Sequence, residues 1–119
     1  NSPHDFLRRL ETMVLMAGMD LPLQAIREQI SSAINIILQL MRFSDGTRRV
    51  VNVTEVSEDL DEHGGYQLQD IFLFRQEGIG EGGKVIGSLR PTGVVPTCYK
   101  ELRNSGIEVD LGIFEDAAN

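Results

Sequence analysis

Residues 44–56 read SDGTRRVVNVTEV, and here the spacing of apolar residues changes from that of a helix to that of a strand. Ser44-Asp45-Gly46 is a typical turn sequence. Over residues 49–56 successive side chains fall on opposite faces in the two-residue repeat of a strand. We therefore expect a strand at 49–56 that separates a helical segment, residues 1–43, from a strand-rich one, residues 44–119.

Two helices are predicted before this turn. Ser2 and Pro3 suit the N-cap and first position of a helix over residues 3–17. A second helix is predicted over residues 22–42, because apolar residues recur there at spacings of three and four and no later proline or glycine interrupts them. Its second half is apolar on most sides, so we expect it to be buried in this domain or against a partner.

Two further strands and a short helix are predicted after the turn. The expected elements are an acidic loop at 57–65, a strand at 66–75, a loop at 78–83, a strand at 84–90, a helix at 96–105 capped by Gly106, an extended segment at 107–114 and a frayed tail at 115–119. Three consecutive strands without intervening helices predict a mainly antiparallel meander. The predicted fold class is α+β, in a single unit over residues 1–119.

The composition is that of an ordinary globular protein. Of 119 residues, 41% are hydrophobic and 24% are charged, which excludes a disordered, collagen-like or disulfide-rich chain. The net charge of −7 is uneven, at +1 for residues 1–49 and −8 for residues 50–119. An acidic chain lacks the basic surface that general nucleic-acid binding needs, so no nucleic-acid partner is expected.

Residue 1 and the single cysteine bear on the origin of the chain and on its redox compartment. Asn1 is not a methionine and no signal segment follows it, so we expect the chain to be a piece of a longer protein or to have been processed. Cys98 has no second cysteine for a disulfide, which fits a reducing compartment. Its simplest interpretation is an inert, buried side chain. Two histidines and one cysteine, widely spaced, predict no metal site.

Two stretches imitate ligand-binding loops. Residues 78–84 read GIGEGGK and match the start of a phosphate loop, but Val85 stands where serine or threonine should follow, and a strand pattern replaces the required helix. A hairpin loop is the favoured interpretation. Residues 59–64 imitate a calcium loop with Asp70 at the twelfth position, but His63 and the flanking strands do not fit, which favours a solvated acidic loop.

Three arginines are the candidates for nucleotide contact: Arg27, Arg48 and Arg49. A guanidinium group suits planar, bidentate contact with carboxylate or phosphate. The favoured interpretation is nevertheless surface ion pairing with acids such as Glu28 or Glu55. No catalytic residue is assigned.

Several short motifs together resemble one protein family. They are Asn1-Ser2-Pro3, Met13 to Gly18, Leu21-Pro22, Ala25 to Ile30, Ser32-Ala33-Ile34, Asp45-Gly46 with Arg48-Arg49-Val50, Thr54-Glu55-Val56, Gln69 to Phe72, Gly83-Lys84-Val85 with Gly87, Thr92-Gly93 with Pro96, and Gly106-Ile107. These resemble the C-terminal part of the type II/IV secretion and pilus-assembly ATPases, closest to the Flp (tight-adherence), CpaF-like branch.

The resemblance implies a cytoplasmic hexameric ATPase on an inner-membrane platform, with ATP and magnesium bound by a RecA-like domain. The family has four catalytic motifs: the Walker A loop, the acidic box, the Walker B segment and the histidine box. All four precede the part of the family that this chain resembles, and the chain contains none of them. The implied role is therefore a non-catalytic lobe that supports the motor core and subunit contacts, with no cofactor of its own. A stand-alone α+β interaction module is the alternative.

Overall fold

The computed structural model describes residues 2–18 and 20–115. The helices are α1 (Pro3–Met16), α2 (Leu23–Ala33) and α3 (Thr97–Asn104), the strands are β1 (Ile36–Arg42), β2 (Arg48–Val56), β3 (Leu68–Ile79) and β4 (Val85–Pro91), and short 3-10 turns cover Glu81–Gly83 and Leu111–Phe114. The strands form one sheet in the order β1-β2-β3-β4. The α+β class is therefore confirmed.

The second helix is shorter than predicted, and this is the main correction to the fold. It ends at Ala33, and Ile34 already has an extended backbone, with φ of −107° and ψ of 122°. Residues 36–42 form strand β1, so the helical assignment of 22–42 and of the whole segment 1–43 is wrong, and the meander has four strands rather than three. β-Branched isoleucines at 34, 36 and 37 favour a strand, and a dense apolar run fits either structure by spacing alone.

The other helices and strands lie within four residues of their predicted bounds, and the largest difference is in β3, which ends at Ile79 rather than at residue 75. The Ser2 hydroxyl caps α1 by accepting a hydrogen bond from the Asp5 N–H at 3.2 Å. Helix α3 ends where Gly106 adopts a φ of +82°, and the Ile107 N–H then donates to the Leu102 carbonyl at 3.0 Å. This pattern is a Schellman-type helix end, which glycine adopts without steric cost. The predicted extended segment at 107–114 is wrong over its last four residues, which form a 3-10 turn, and residues 116–119 of the predicted tail lie outside the described residues.

Packing divides the chain into two compact units, residues 1–37 with 54–69 and residues 38–53 with 70–119. The first unit contains α1 and α2, and five buried apolar side chains form its core: Leu7, Ile26, Ile30, Ile37 and Val56. Ser31 is fully buried beside this core, and its hydroxyl donates to the Glu58 carbonyl at 3.0 Å. This bond attaches the acidic loop to α2.

The second unit contains the β3–β4 hairpin and α3. These strands pair antiparallel, from Phe72 opposite Pro91 to Ile79 opposite Val85, with an irregularity between Gln76 and Gly78. Aromatic rings pack in this unit, with centroid separations of 5.0 Å for Phe43 and Phe74, 5.8 Å for Phe72 and Phe114, and 4.6 Å for Tyr99 and Phe114. These contacts are in the range at which aromatic pairs stabilise a core.

Both ligand-loop imitations are turns. In residues 78–84 the Gly80 N–H donates to the Lys84 carbonyl at 2.7 Å, which closes the hairpin between β3 and β4. In the acidic loop one Asp61 carboxylate oxygen accepts from the backbone N–H groups of His63 and Gly65, each at 2.8 Å. These two hydrogen bonds, Gly65 first, lower the pKa of Asp61. The hairpin interpretation of 78–84 is confirmed.

Candidate functional site

Arg27, the first of the three arginine candidates, makes its contacts inside the first unit. It lies on α2 next to buried Ile26, and its Nε donates to Glu11 Oε1 at 2.7 Å. The same carboxylate oxygen accepts from the Tyr66 hydroxyl at 2.6 Å. We call Glu11, Arg27 and Tyr66 the Glu11 cluster; it joins α1, α2 and the segment before β3.

The Glu11 cluster is largely withdrawn from water. The Glu11 side chain is 9% exposed and the Arg27 side chain 32%. Burial, with the hydrogen bond to Glu11 next in importance, raises the pKa of Tyr66 well above its usual value of 10.0. The phenol therefore stays protonated and remains a donor to the carboxylate. Because Glu11 satisfies both donors, the cluster is suited to holding three segments together.

Arg48 and Arg49 are adjacent in sequence but have different environments. Arg48 is exposed, whereas the Arg49 guanidinium lies over the rings of Phe43 and Phe74, 5.5 Å and 5.7 Å from their centroids. At these distances a guanidinium group is attracted to the ring face. Arg49 Nη2 also donates to Asp45 Oδ2 at 3.3 Å. Arg49 is thus held against the second unit's own aromatic core.

Asp45 and Arg49 together bind the backbone of one residue of β4. Asp45 Oδ2 accepts from the Val85 N–H at 2.8 Å, and Arg49 Nη2 donates to the Val85 carbonyl at 2.7 Å. We call these three residues the Val85 clamp. Within the second unit it attaches the turn between β1 and β2 to the start of β4, as a neighbouring strand would.

The Asp45 carboxylate is stabilised in its charged form. Its other oxygen, Oδ1, accepts from the Thr47 hydroxyl at 2.5 Å and from the Thr47 N–H at 2.9 Å. The hydroxyl bond, then the Val85 and Thr47 backbone bonds, and finally the Arg49 charge lower the pKa of Asp45 from 3.8 to about 2. Its ionised form therefore favours the folded state.

The first prediction is a loss of stability in acid that depends on Asp45. Because its pKa is lower in the folded than in the unfolded chain, its contribution is complete above pH 3.8 and disappears as the pH falls to about 2. Thermal unfolding should show wild type more stable than Asp45→Asn at neutral pH, with the two midpoints converging between these pH values. Asp59→Asn, in the exposed acidic loop, controls for the removal of one charge. A gap between wild type and Asp45→Asn that stays constant down to pH 2 would contradict the assignment.

The sequence did not single out Glu11, Asp45 or Tyr66, which complete the two clusters. One signal for Glu11 was present, because it occupies the face of α1 that buries Pro3 and Leu7, each four residues from the next. An acid at such a position needs an internal partner. At Asp45 the sequence indicates only a turn, because its contact with β4 is made to Val85, forty residues later.

Other candidate groups take no part in these clusters. Cys98 is exposed on α3, so its interpretation as a buried side chain is wrong. In residues 2–18 and 20–115 there is no group of three or more histidine, cysteine or acidic side chains able to hold a metal ion. An open groove of about 650 Å³ lies beside the C-terminal end of α3, lined by Arg103 and residues 106–110.

Apolar side chains stand exposed along one side of α1. Phe6, Met13 and Met16 are 45%, 65% and 81% exposed. Their spacings of seven and three place them on one side of the helix, away from the face that buries Leu7. We call these three residues the α1 stripe. Methionine adapts its shape to a partner surface, so this composition is suited to docking.

Among the described residues, none of the helices combines the length and the apolar character that crossing a lipid bilayer requires. Neither a protein-family model nor a curated protein sequence gives a significant match to this chain. The family resemblance of the short motifs therefore stays a prediction.

Proposed function

We propose that this chain is the non-catalytic C-terminal lobe of a hexameric ATPase that powers pilus assembly or type II/IV secretion. Its partners would be the rest of the ATPase chain, neighbouring subunits of the hexamer and an inner-membrane platform. It would act in the cytoplasm at the inner membrane, and ATP and magnesium would bind to the RecA-like part of the parent protein. The motif resemblance suggests the family, and the exposed α1 stripe carries the role of a supporting surface.

The arrangement of the arginines supports a structural role. Arg27 is committed to Glu11, and Arg49 to Asp45 and the Val85 carbonyl. A residue that contacts nucleotide must direct its donors at phosphate, yet these donors serve internal acceptors. Arg48 is exposed. We expect it to contact a neighbouring subunit rather than the nucleotide.

The exposed apolar side chains of the α1 stripe also support a structural role. Burying a large apolar side chain contributes about 1.5–3 kcal/mol, so three exposed ones form a substantial surface for a neighbouring domain. Met13 and Met16 are the most exposed of them. In the parent ATPase we expect this stripe to be covered by the motor core or by the next subunit.

The second prediction is a loss of assembly and turnover when the α1 stripe is charged. In the full-length ATPase, Met13→Glu with Met16→Glu should lower the hexamer fraction and the ATP turnover about tenfold or more, because two carboxylates would be buried without partners. Leu15→Glu is the matched control, since Leu15 is 49% exposed on the opposite side of α1. Size-exclusion chromatography with light scattering and a phosphate-release assay provide the two readouts. Equal effects of the double variant and the control would overturn the proposal.

Two simpler observations test the proposal as a whole. The reading frame should encode a G-x-x-x-x-G-K-[ST] loop upstream of Asn1, whereas a start codon beside Asn1 would support a stand-alone interaction module. The purified 119-residue chain should show no ATP turnover, and Lys84→Ala should change nothing. Turnover that Lys84→Ala abolishes would contradict the non-catalytic assignment.

A further inference from the structure

Strand β1 lies at one end of the strand order and therefore has one open edge. Asn35, just before it, has a carbonyl that accepts from the Val56 N–H at 2.8 Å, and Phe43, just after it, has an N–H that donates to the Thr47 carbonyl at 2.8 Å. Both groups point to the β2 side. Since backbone groups alternate between the two edges of a strand, the even-numbered residues of β1 present theirs to the open edge.

That open edge lacks the usual protections against pairing. Natural edge strands carry lysine, proline, a bulge or inward-pointing charges. β1 reads IILQLMR, with no lysine or proline and one charge, Arg42, at its last position. The opposite edge strand, β4, contains Gly87 and ends in Arg90 and Pro91. Within residues 2–18 and 20–115, no backbone hydrogen bond outside helices and ladders involves Ile36, Leu38, Leu40 or Arg42.

The side chains on this strand are also suited to association. Leu38 and Leu40 lie on one face of β1 and are 56% and 61% exposed. Leucine at this exposure on a strand edge is an association surface once a second strand aligns with it.

We propose that β1 pairs antiparallel with β1 of a second copy of this chain, about a two-fold axis that passes between the two Gln39 residues. Gln39 is the midpoint of the strand, so this register pairs all of its residues. It places Leu38 opposite the partner's Leu40 and Ile36 opposite the partner's Arg42. Even-numbered residues then face even-numbered residues, as the directions of the edge groups require.

The charges of the strand favour this occupant. The two Arg42 side chains lie at opposite ends of the paired strands, roughly 20 Å apart at 3.3 Å per residue, so no like charges face each other. Arg42 also meets an apolar partner, Ile36, along which its methylene stem can pack. A second copy thus supplies the hydrogen bonds, the leucine contacts and the charge separation together. The strand pair alone is smaller than a standard interface, so the dimer is concentration-dependent.

Sedimentation equilibrium of the 119-residue chain tests the dimer. A Cys98→Ser background in reducing buffer removes the exposed thiol as a source of cross-links. The mass should rise with concentration from that of a 13.2 kDa monomer towards twice that value. Leu40→Lys should weaken association about tenfold or more, because each partner strand then gains a buried ammonium. Ile86→Lys on β4, where Ile86 is 49% exposed, is the matched control and should associate like wild type.

Oxidative cross-linking tests the register. In the proposed dimer the two Gln39 residues form a non-hydrogen-bonded pair about 4.5 Å apart between Cα atoms, so Gln39→Cys should give a covalent dimer. Arg42→Cys should not, at roughly 20 Å. If Gln39→Cys fails to fold, a mixture of Leu38→Cys and Leu40→Cys replaces it. Those residues face each other at about 5.5 Å, whereas like residues lie about 7–8 Å apart.

Three outcomes would overturn this pairing. The first is a strictly monomeric wild type at high concentration. The second is association that Ile86→Lys or Met16→Lys removes and Leu40→Lys does not, since that places the contact on β4 or on the α1 stripe. The third is a covalent dimer from Arg42→Cys without one from Gln39→Cys, which excludes the register. Circular dichroism of each variant confirms that the compared chains are folded.

Discussion

Replacing Glu11 with alanine should lower the free energy of unfolding by about 2–4 kcal/mol. The change leaves the Tyr66 hydroxyl and the Arg27 Nε without their common acceptor, which lies 2.6 Å and 2.7 Å from them. Arg27 and Tyr66 are both partly exposed, so water can replace some of the hydrogen bonds that they lose. The loss of stability is therefore smaller than for a fully buried charge pair. Denaturant unfolding followed by circular dichroism, with linear extrapolation to water, measures the loss.

Glu28→Ala is the matched control for the loss of a carboxylate. Glu28 follows Arg27 on α2 but is exposed, and its contact with the Gln24 side-chain amide is 3.4 Å long. This variant should stay within about 0.5 kcal/mol of wild type. Equal losses for Glu11→Ala and Glu28→Ala would mean that the Glu11 cluster does not stabilise the fold.

The ionisation of Tyr66 gives the same change a second readout. In wild type the pKa of Tyr66 is raised, so its stabilising contribution is complete below pH 10.0 and is lost as the pH rises further. In Glu11→Ala the pKa of Tyr66 should fall towards that value, because the acceptor and its negative charge are gone. Phenolate absorbance in a Tyr99→Phe background isolates this residue. An unchanged Tyr66 titration would show that burial alone sets its pKa.

Local signals were sufficient for most elements of the fold. The Ser2-Pro3 start of α1, the Gly106 end of α3 and the alternation of β2 each depend on neighbouring residues, which the sequence displays directly. The boundary between α2 and β1 does not. No proline or glycine lies near Ala33 and Ile34 to end the helix. The helix therefore ends where β1 joins the sheet, and pairing within a sheet depends on residues far apart in sequence.

The two clusters show the same limit for the candidate arginines. The sequence allowed a partner such as Glu28 for Arg27, but the actual acceptor is Glu11, which α1 must present from sixteen residues away. For Arg49 the ionic partner is Asp45, and its second acceptor is the Val85 carbonyl, thirty-six residues later. Residue type indicated that these arginines need acceptors. Only packing decides which acceptors they obtain.

Gly87→Ala should be the most damaging single-methyl change in the second unit, with a loss of about 2–3 kcal/mol. A Cβ at Gly87 would lie 2.5 Å from the Arg75 carbonyl oxygen, 2.7 Å from Phe74 Cζ and 3.0 Å from Gln76 Cα. Gly87 faces Gln76, beside the irregularity in β3. Two of the three obstructing atoms belong to the backbone of β3, so side-chain rotation cannot relieve the clash and the strand itself must shift.

Gly78→Ala is the control, because Gly78 lies in the same hairpin and a Cβ there meets no atom within 4 Å. Neither glycine has a positive φ, so backbone strain does not separate the two substitutions. Gly78→Ala should be neutral or stabilising by about 0.4–1 kcal/mol, since alanine restricts the unfolded chain. Chemical denaturation of both variants provides the comparison. Equal stability of Gly87→Ala and Gly78→Ala would mean that β4 does not approach β3 so closely at residue 87. A loss confined to Gly87→Ala would show that the space between the strands admits only glycine there.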